Sequence, residues 1–174
     1  MARLTGWKEK LLSQAGNEVL IKSVLLAMPT YAMACCKLPK GLCVEVCKEM
    51  AKFWWEDKGQ ERRVHWMGWS KLSEVKGKGG LGFRDLMDFN NAMLAKKFWR
   101  ILTRPNLMVS RILRGKYFKG ESIWKMKIKA SDSWMWKSIL YARELLESGV
   151  RKRVVDGTTI DIWRDRWLLR RGKE

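Results

Sequence analysis

The chain has 174 residues, of which 47% are hydrophobic and only 3 are prolines. This is enough for one domain with a core, or for two small subdomains, and it excludes a disordered tail. The net charge of +18 indicates a polyanionic partner. A nucleic acid is favoured over a membrane, because apolar runs such as residues 24–28 are far too short to cross a bilayer.

Apolar spacing predicts helices along the first part of the chain. Leu4, Trp7 and Leu11 recur at helical intervals and predict a short first helix. Residues 19–28 are apolar nearly all round, which predicts a buried helix that ends at Pro29.

Residues 42–54 predict the clearest amphipathic helix, with glutamates and lysines on its outer side. Cys43 and Cys47 fall on its apolar edge, where we expect them to be small core residues. The cysteines of the chain are Cys35, Cys36, Cys43 and Cys47. They show no CxxC spacing and His65 is the only histidine, so we expect no metal site and reduced cysteines in an intracellular protein.

A glycine-rich segment at residues 77–82 matches the pattern GxGxxG. The dinucleotide-binding version of this pattern needs a buried strand before it and an acidic residue about 20 positions later. Here the preceding residues are polar and the region near Arg100 is basic. A tight turn with positive-φ glycines is therefore favoured, and no cofactor is expected.

The second half of the chain predicts more helices and a terminal hairpin. Helices are expected at residues 85–103, stopped by Pro105, and at residues 107–118. Ser133 is expected to cap another helix, whose Met135, Ile139, Ala142 and Leu146 face one way. Residues 150–155 and 158–163 alternate like strands around Asp156-Gly157, which predicts a two-residue β-hairpin.

The positive charge is concentrated between residues 96 and 129, where Glu121 is the only acidic residue. On the predicted helix, Lys96, Lys97, Arg100 and Arg104 share an arc of about 100° opposite an apolar side. Such a helix can dock by its apolar side and present a ladder of cations to a phosphate backbone. The alternative is a solvated helix face. The cations expected to contact nucleic acid are Lys96, Lys97, Arg100, Arg104, Arg111, Arg114, Lys116 and Lys119.

Three aromatic residues, Tyr117, Phe118 and Trp124, are interleaved with these cations. This mixture is typical of surfaces that stack on unpaired bases. It is equally typical of the edge of a core, and the sequence leaves both interpretations open.

No catalytic group is predicted. The only adjacent acidic residues are Glu56-Asp57, and nothing places a third carboxylate beside them to hold the two metals of a polymerase or nuclease. His65 has no evident nucleophile or orienting partner.

An ordered series of short motifs resembles the stretch just downstream of the palm in plant LINE-type, non-LTR retrotransposon reverse transcriptases. The motifs are Leu4-Thr5-Gly6-Trp7-Lys8, Leu12-Ser13-Gln14-Ala15-Gly16, Val19-Leu20-Ile21-Lys22-Ser23-Val24, Pro29-Thr30-Tyr31-Ala32-Met33, Phe53-Trp54-Trp55, His65-Trp66, Trp69, Gly79-Gly80-Leu81-Gly82-Phe83-Arg84-Asp85-Leu86, Phe89-Asn90, Leu94-Ala95-Lys96-Lys97, Asp156-Gly157, Ile162-Trp163 and Trp167. Related reading frames occur in plant mitochondrial genomes. The resemblance covers nearly all of the chain, and its specificity lies in the order of the motifs.

The resemblance implies a mainly α fold, a helical thumb-like bundle with a short C-terminal β-hairpin. Residues 1–118 would be the thumb-like region. Residues 119–174 would hold a linker helix and the hairpin, leading toward a zinc-binding region that is absent here. The paired aspartates of the palm are also absent, so the family offers no catalytic residue to carry over.

The implied partners are RNA, DNA or an RNA–DNA hybrid, and a palm/fingers polymerase domain encoded upstream. The nucleus and the mitochondrion both remain open as the compartment of the protein. The implied function is gripping of template and primer without nucleotide addition. The alternative is a degenerate structural or interaction fragment that binds nucleic acid only through its charge. Residual polymerase activity is a third possibility, against which the missing carboxylates argue.

Overall fold

The computed structural model describes residues 13–55, 65–118, 122–158, 160–163 and 167, and these residues are mainly helical, as predicted. The predicted helix at Leu4, Trp7 and Leu11 lies outside them. The helices are α1 (Gln14–Leu20), which continues as a π-helix (Ile21–Leu25), α2 (Thr30–Cys35), α3 (Lys40–Trp55), α4 (Trp69–Ser73), a 3-10 turn (Lys76–Lys78), α5 (Leu86–Thr103), α6 (Met108–Tyr117), α7 (Trp134–Tyr141) and α8 (Arg143–Gly149).

Local signals set the starts of three helices. The Oγ of Ser13 accepts a hydrogen bond from the backbone N–H of Gly16 at 3.2 Å. The carboxylate of Asp85 accepts from the first turn of α5, at 2.8 Å and 3.0 Å. Ser133 caps α7 by accepting from the N–H of Trp136 at 3.3 Å, which confirms the predicted cap. Each bond satisfies a donor that the helix itself leaves free.

The core consists of two clusters that share α5. We call them the N-terminal cluster and the C-terminal cluster. The buried members of the N-terminal cluster are Ile21, Leu25, Leu26, Met33, Cys43, Met50, Phe53, Leu72, Phe83 and Leu86. The buried members of the C-terminal cluster are Leu94, Ala95, Phe98, Ile101, Leu113, Ile123, Met126, Trp136, Ile139, Leu140 and Ala142. The C-terminal cluster thus takes residues from both sides of position 118.

Asn90 lies on α5 between the two clusters, and its side chain is 2% exposed. Its amide group donates to the carbonyl oxygens of Met33 at 2.8 Å and Cys36 at 3.0 Å. Its amide oxygen accepts from the N–H of Leu38 at 2.9 Å. These bonds hold the end of α2 and the following turn against α5. Both the amide nitrogen and the amide oxygen of Asn90 therefore have hydrogen-bond partners in the core.

The glycine-rich segment is a tight turn, as predicted. Gly79 and Gly82 have φ angles of 82° and 68°. A Cβ added to Gly80 would lie 2.1 Å from the backbone oxygen of Glu74, so only glycine fits there. The ammonium of Lys22 donates to the carbonyl of Leu81 at 2.7 Å and ties the turn to the preceding π-helix.

The predicted β-hairpin is wrong: none of the described residues forms a strand. The turn itself is present, because Gly157 has a φ of 77° and the N–H of Thr158 donates to the carboxylate of Asp156 at 3.2 Å. The flanking residues, however, bury no common apolar face. Val155 is 87% exposed and Trp163 is 94% exposed, and a two-stranded hairpin without a packed face is marginal in water.

Two helix predictions also need correction. The buried helix expected at residues 19–28 is buried on one side only, since Val19 is 63% and Met28 is 65% exposed. The helix expected after Ser133 breaks at Ala142 into α7 and α8. Of the two cysteines expected in the core, Cys43 is buried and Cys47 is half-buried, and burial raises the pKa of the Cys47 thiol to about 11. In the described part of the chain, no helix is long and apolar enough to cross a membrane.

Candidate nucleic-acid interface

The outer side of the second half of α5 carries exposed cations. Lys96, Arg100 and Arg104 are all exposed, whereas Phe98 and Ile101 are buried in the C-terminal cluster. The helix therefore docks by its apolar side and presents the predicted cations to solvent. We call Lys96, Lys97, Arg100 and Arg104 the ladder.

Lys97 differs from the rest of the ladder. It is only partly exposed, and its Nζ lies 3.9 Å from the Sγ of Cys35, where α2 packs against α5. We therefore expect Lys97 to contribute less to a ligand than the three exposed cations.

The ladder cations make no ion pair with any described residue. Ion pairs of the described residues include Lys22–Glu18, Lys76–Glu18 and Lys71–Glu74, and none of these involves a ladder cation. The charge of the ladder is therefore not cancelled locally, and it remains available to an anionic ligand.

The predicted cations on and after α6 occupy different environments. Arg111 and Lys116 are exposed. Arg114 is partly buried, donates to the carbonyl of Ile101 at 3.1 Å, and lies 5.4 Å from the ring centre of Phe118. Its guanidinium thus holds the C-terminal end of α5, which is an internal use of its charge. Lys119 lies outside the described residues.

The three aromatic candidates lie at the edge of the C-terminal cluster. The ring of Tyr117 stacks on Trp136 with ring centres 4.6 Å apart, and its hydroxyl donates to Ser133 at 2.9 Å. The ring of Phe118 lies 6.0 Å from that of Trp136, and the ring of Trp124 lies 5.0 Å from that of Phe98. These contacts favour the core-edge interpretation over base stacking.

The sequence did not predict a basic groove that lies beside α6. It has a volume of about 930 Å³ and is lined by Lys125, Lys127 and Lys129, together with Lys116 from α6. The alternation of lysine with Met126 and Ile128 is visible in the sequence. Whether these lysines line one groove depends on how the loop between α6 and α7 folds, and the sequence pattern does not specify that fold.

No catalytic constellation is found in the described residues. None of their His, Cys, Asp and Glu side chains form a group of three that could hold a metal ion. His65 is exposed and stacks on Trp55, with ring centres 6.4 Å apart. The raised pKa of Cys47 keeps that neighbouring thiol protonated, and a protonated thiol is a poor nucleophile.

The chain is similar to a protein from a plant mitochondrion. It is 41% identical over 145 residues to "Uncharacterized mitochondrial protein AtMg00310" of Arabidopsis thaliana. The match covers 83% of this chain and 94% of that protein. The chain belongs to the family of this mitochondrial protein.

A longer plant protein shares sequence with this family. The chain is 35% identical over 171 residues to the Arabidopsis thaliana protein named "Putative ribonuclease H protein At1g65750". The match covers 96% of the chain but 27% of that protein, so the chain spans about a quarter of its length. No family model matches the chain, and no solved structure matches it.

Proposed function

We propose that this family member is a nucleic-acid-binding fragment of a retroelement reverse transcriptase, which grips template and primer through their phosphates and adds no nucleotide itself. The observation that carries the proposal is the ladder. Its cations are mostly exposed, and none forms an ion pair with a described residue.

The spacing of the ladder suits a polymer of phosphates. From Lys96 to Thr103, the last residue of α5, the helix rises by roughly 10 Å at about 1.5 Å per residue, and Arg104 follows directly after the helix. Cations spread over this length can engage several successive phosphates at once, and each contact releases condensed counterions from the nucleic acid. An isolated small anion would use only one of them.

The comparison with the longer relative also supports a nucleic-acid partner. That protein is named a putative ribonuclease H protein, and ribonucleases act on RNA. Together with the motifs that resemble the region after a reverse transcriptase palm, this favours an origin in a retroelement. RNA, DNA and an RNA–DNA hybrid are the candidate ligands.

A second partner, a palm/fingers polymerase domain, is supported by an apolar patch on α6. Met108 is 77% exposed, Val109 is 54% exposed and Ile112 is 57% exposed. Apolar patches of this kind mark surfaces that pack against another protein unit. A thumb normally packs against its palm, so we assign this patch to that contact.

The alternative function is a degenerate fragment that binds nucleic acid only through total charge. The internal contacts of Arg114, Tyr117 and Trp124 favour it, because they remove several predicted contacts from the surface. The two proposals differ in one respect: only the first requires the position of the ladder cations to matter.

The deciding experiment compares two variants that lose the same formal charge. The ladder variant carries Lys96→Gln, Lys97→Gln, Arg100→Gln and Arg104→Gln. The control variant carries Lys40→Gln, Lys48→Gln, Lys52→Gln and Lys78→Gln, all at exposed positions of the N-terminal part. Affinity for a short duplex is measured over a range of salt concentrations, after circular dichroism has shown that both variants are folded.

The ladder variant should bind more weakly than the control and should have a flatter salt dependence. The log–log slope should fall by about 0.9 per lost phosphate contact, hence by roughly 3 for the three fully exposed cations. Equal changes in the two variants would rule out the ladder and leave the charge-only alternative. Primer extension by the purified chain would overturn the non-catalytic part of the proposal.

A further inference from the structure

The groove beside α6 is a separate feature from the ladder. It lies between the end of α6, the segment of residues 122–132 and the start of α7. Met126 and Trp136, both buried, form its apolar floor. Its lysines therefore stand around a depression with a volume of about 930 Å³, not on a convex surface.

Three of these lysines follow one another along a non-helical segment. Lys125, Lys127 and Lys129 all line the groove, and Met126 is buried in its floor. Lys125 ends a turn, since its N–H donates to the carbonyl of Ser122 at 2.9 Å. In an extended segment, alternate residues such as Lys127 and Lys129 lie on the same side, roughly 7 Å apart. That interval is close to the distance between neighbouring phosphates of an extended single strand.

The charge of the groove is only partly balanced. Its acidic lining residue is Asp132, whose carboxylate accepts the backbone N–H of Lys129 at 2.8 Å and so shapes the loop. Four lysines line the groove together with this one carboxylate. None of the four forms an ion pair with a described residue. The groove is thus a concave site with a net positive charge.

We infer that this groove binds the phosphate backbone of single-stranded nucleic acid, as a second contact beyond the ladder. A duplex is a thick convex rod that suits the exposed side of a helix, whereas one strand can enter a groove and follow a row of cations. The inference rests on the proposed function only for the class of ligand. The groove contains none of the ladder residues, so the inference can fail independently of the proposed function.

The inferred contact should be indifferent to base sequence. Base stacking needs a free aromatic face, but one face of Tyr117 is covered by Trp136 and the ammonium of Lys116 lies 5.3 Å from its ring centre. Recognition is therefore left to the lysines and the phosphates, which carry no base information.

The test uses the full chain and three variants with equal loss of charge. The groove variant carries Lys125→Gln, Lys127→Gln and Lys129→Gln. The ladder comparison carries Lys96→Gln, Arg100→Gln and Arg104→Gln, and the control carries Lys40→Gln, Lys48→Gln and Lys52→Gln. The probes are a short oligothymidylate, a duplex of the same length and poly-glutamate, each titrated at several salt concentrations.

The groove variant should lose affinity for oligothymidylate more than for duplex. Its salt slope on the single strand should fall by about 0.7 per contact, hence by roughly 2. The inference is overturned if the groove variant loses no more single-strand affinity than the control. It is also overturned if poly-glutamate binds as tightly as oligothymidylate and depends on the same lysines, which would indicate an acidic protein. The ladder comparison on duplex reports separately on the proposed function.

Discussion

The N-terminal and C-terminal parts of the molecule use their charged residues differently. In the N-terminal part, Glu18 binds both Lys22 and Lys76, and Lys22 also fastens the glycine-rich turn. In the C-terminal part, the exposed cations of α5 and of the groove form no ion pair with a described residue. Both parts nevertheless contain a buried cluster of similar composition.

The two parts differ in the acidic residues that stand among the cations, because exposed lysines without an ion pair to a described residue, such as Lys40 and Lys52, also occur in the N-terminal part. Ion pairs near the surface contribute little to stability, so the N-terminal pairs mainly position a turn. Cations without partners contribute nothing to folding and slightly oppose it through mutual repulsion. A run of cations with a single acidic residue among them, as between residues 96 and 129, is what the proposed nucleic-acid ligand would use.

The largest effect is expected where the two parts meet. Asn90→Ala removes three hydrogen bonds and leaves the carbonyls of Met33 and Cys36 and the N–H of Leu38 without partners. Unsatisfied buried groups cost about 1–3 kcal/mol each, so we expect the free energy of unfolding to fall by roughly 3 kcal/mol or more. Urea denaturation followed by circular dichroism measures this.

The control for this prediction is Asn91→Ala, one position along the same helix. Asn91→Ala should not lower the free energy of unfolding appreciably, because alanine has a higher helix propensity than asparagine. A loss below about 1 kcal/mol for Asn90→Ala would show that α2 is held to α5 by apolar packing alone.

A smaller effect on stability should distinguish two arginines of α6, Arg111 and Arg114. Arg114→Gln should lower the free energy of unfolding by roughly 1.5 kcal/mol, since it removes a charged donor from the carbonyl of Ile101. Arg111→Gln, at an exposed position, should leave stability unchanged and reduce the salt slope of nucleic-acid binding. If Arg114→Gln instead weakened binding at unchanged stability, the internal role given to Arg114 would be wrong.

The smallest effect concerns Glu18. Hydrogen bonds from Lys22 and then Lys76 hold the pKa of this carboxyl below its ordinary value. A lowered pKa in the folded state adds stability above the unfolded pKa, and this stability is lost as the pH falls through the folded pKa. Glu18→Gln should therefore cost roughly 0.5 kcal/mol at neutral pH and nothing in acid. Thermal melts at both pH values, with Glu45→Gln as the control, would measure this difference; a constant difference would argue against the ion pairs.

Features that depend on neighbouring residues could be predicted from the sequence. The predicted cap at Ser133 needs only the first turn of its helix, and the positive-φ glycines need only their own turn. The amphipathic helix at residues 42–54 follows from its own periodicity, although Leu42 near its start is 45% exposed.

Features that depend on distant contacts could not be predicted. Asp156-Gly157 makes its turn, but pairing of the flanking segments would need a core for them to cover. Arg114 belongs to a run of cations in the sequence, and only the packing of α6 against α5 brings it to Ile101. The groove lysines likewise acquire a common side only through the fold of the loop.

The sharing of α5 by both clusters has a genetic consequence. Leu86 belongs to one core and Phe98 to the other, and Asn90 stands between them on the same helix. A fragment that ended before residue 86 would lose Leu86 from the N-terminal cluster, and one that began after residue 103 would lose Leu94, Phe98 and Ile101 from the C-terminal cluster. A gene fragment that lacks this helix can therefore complete neither cluster.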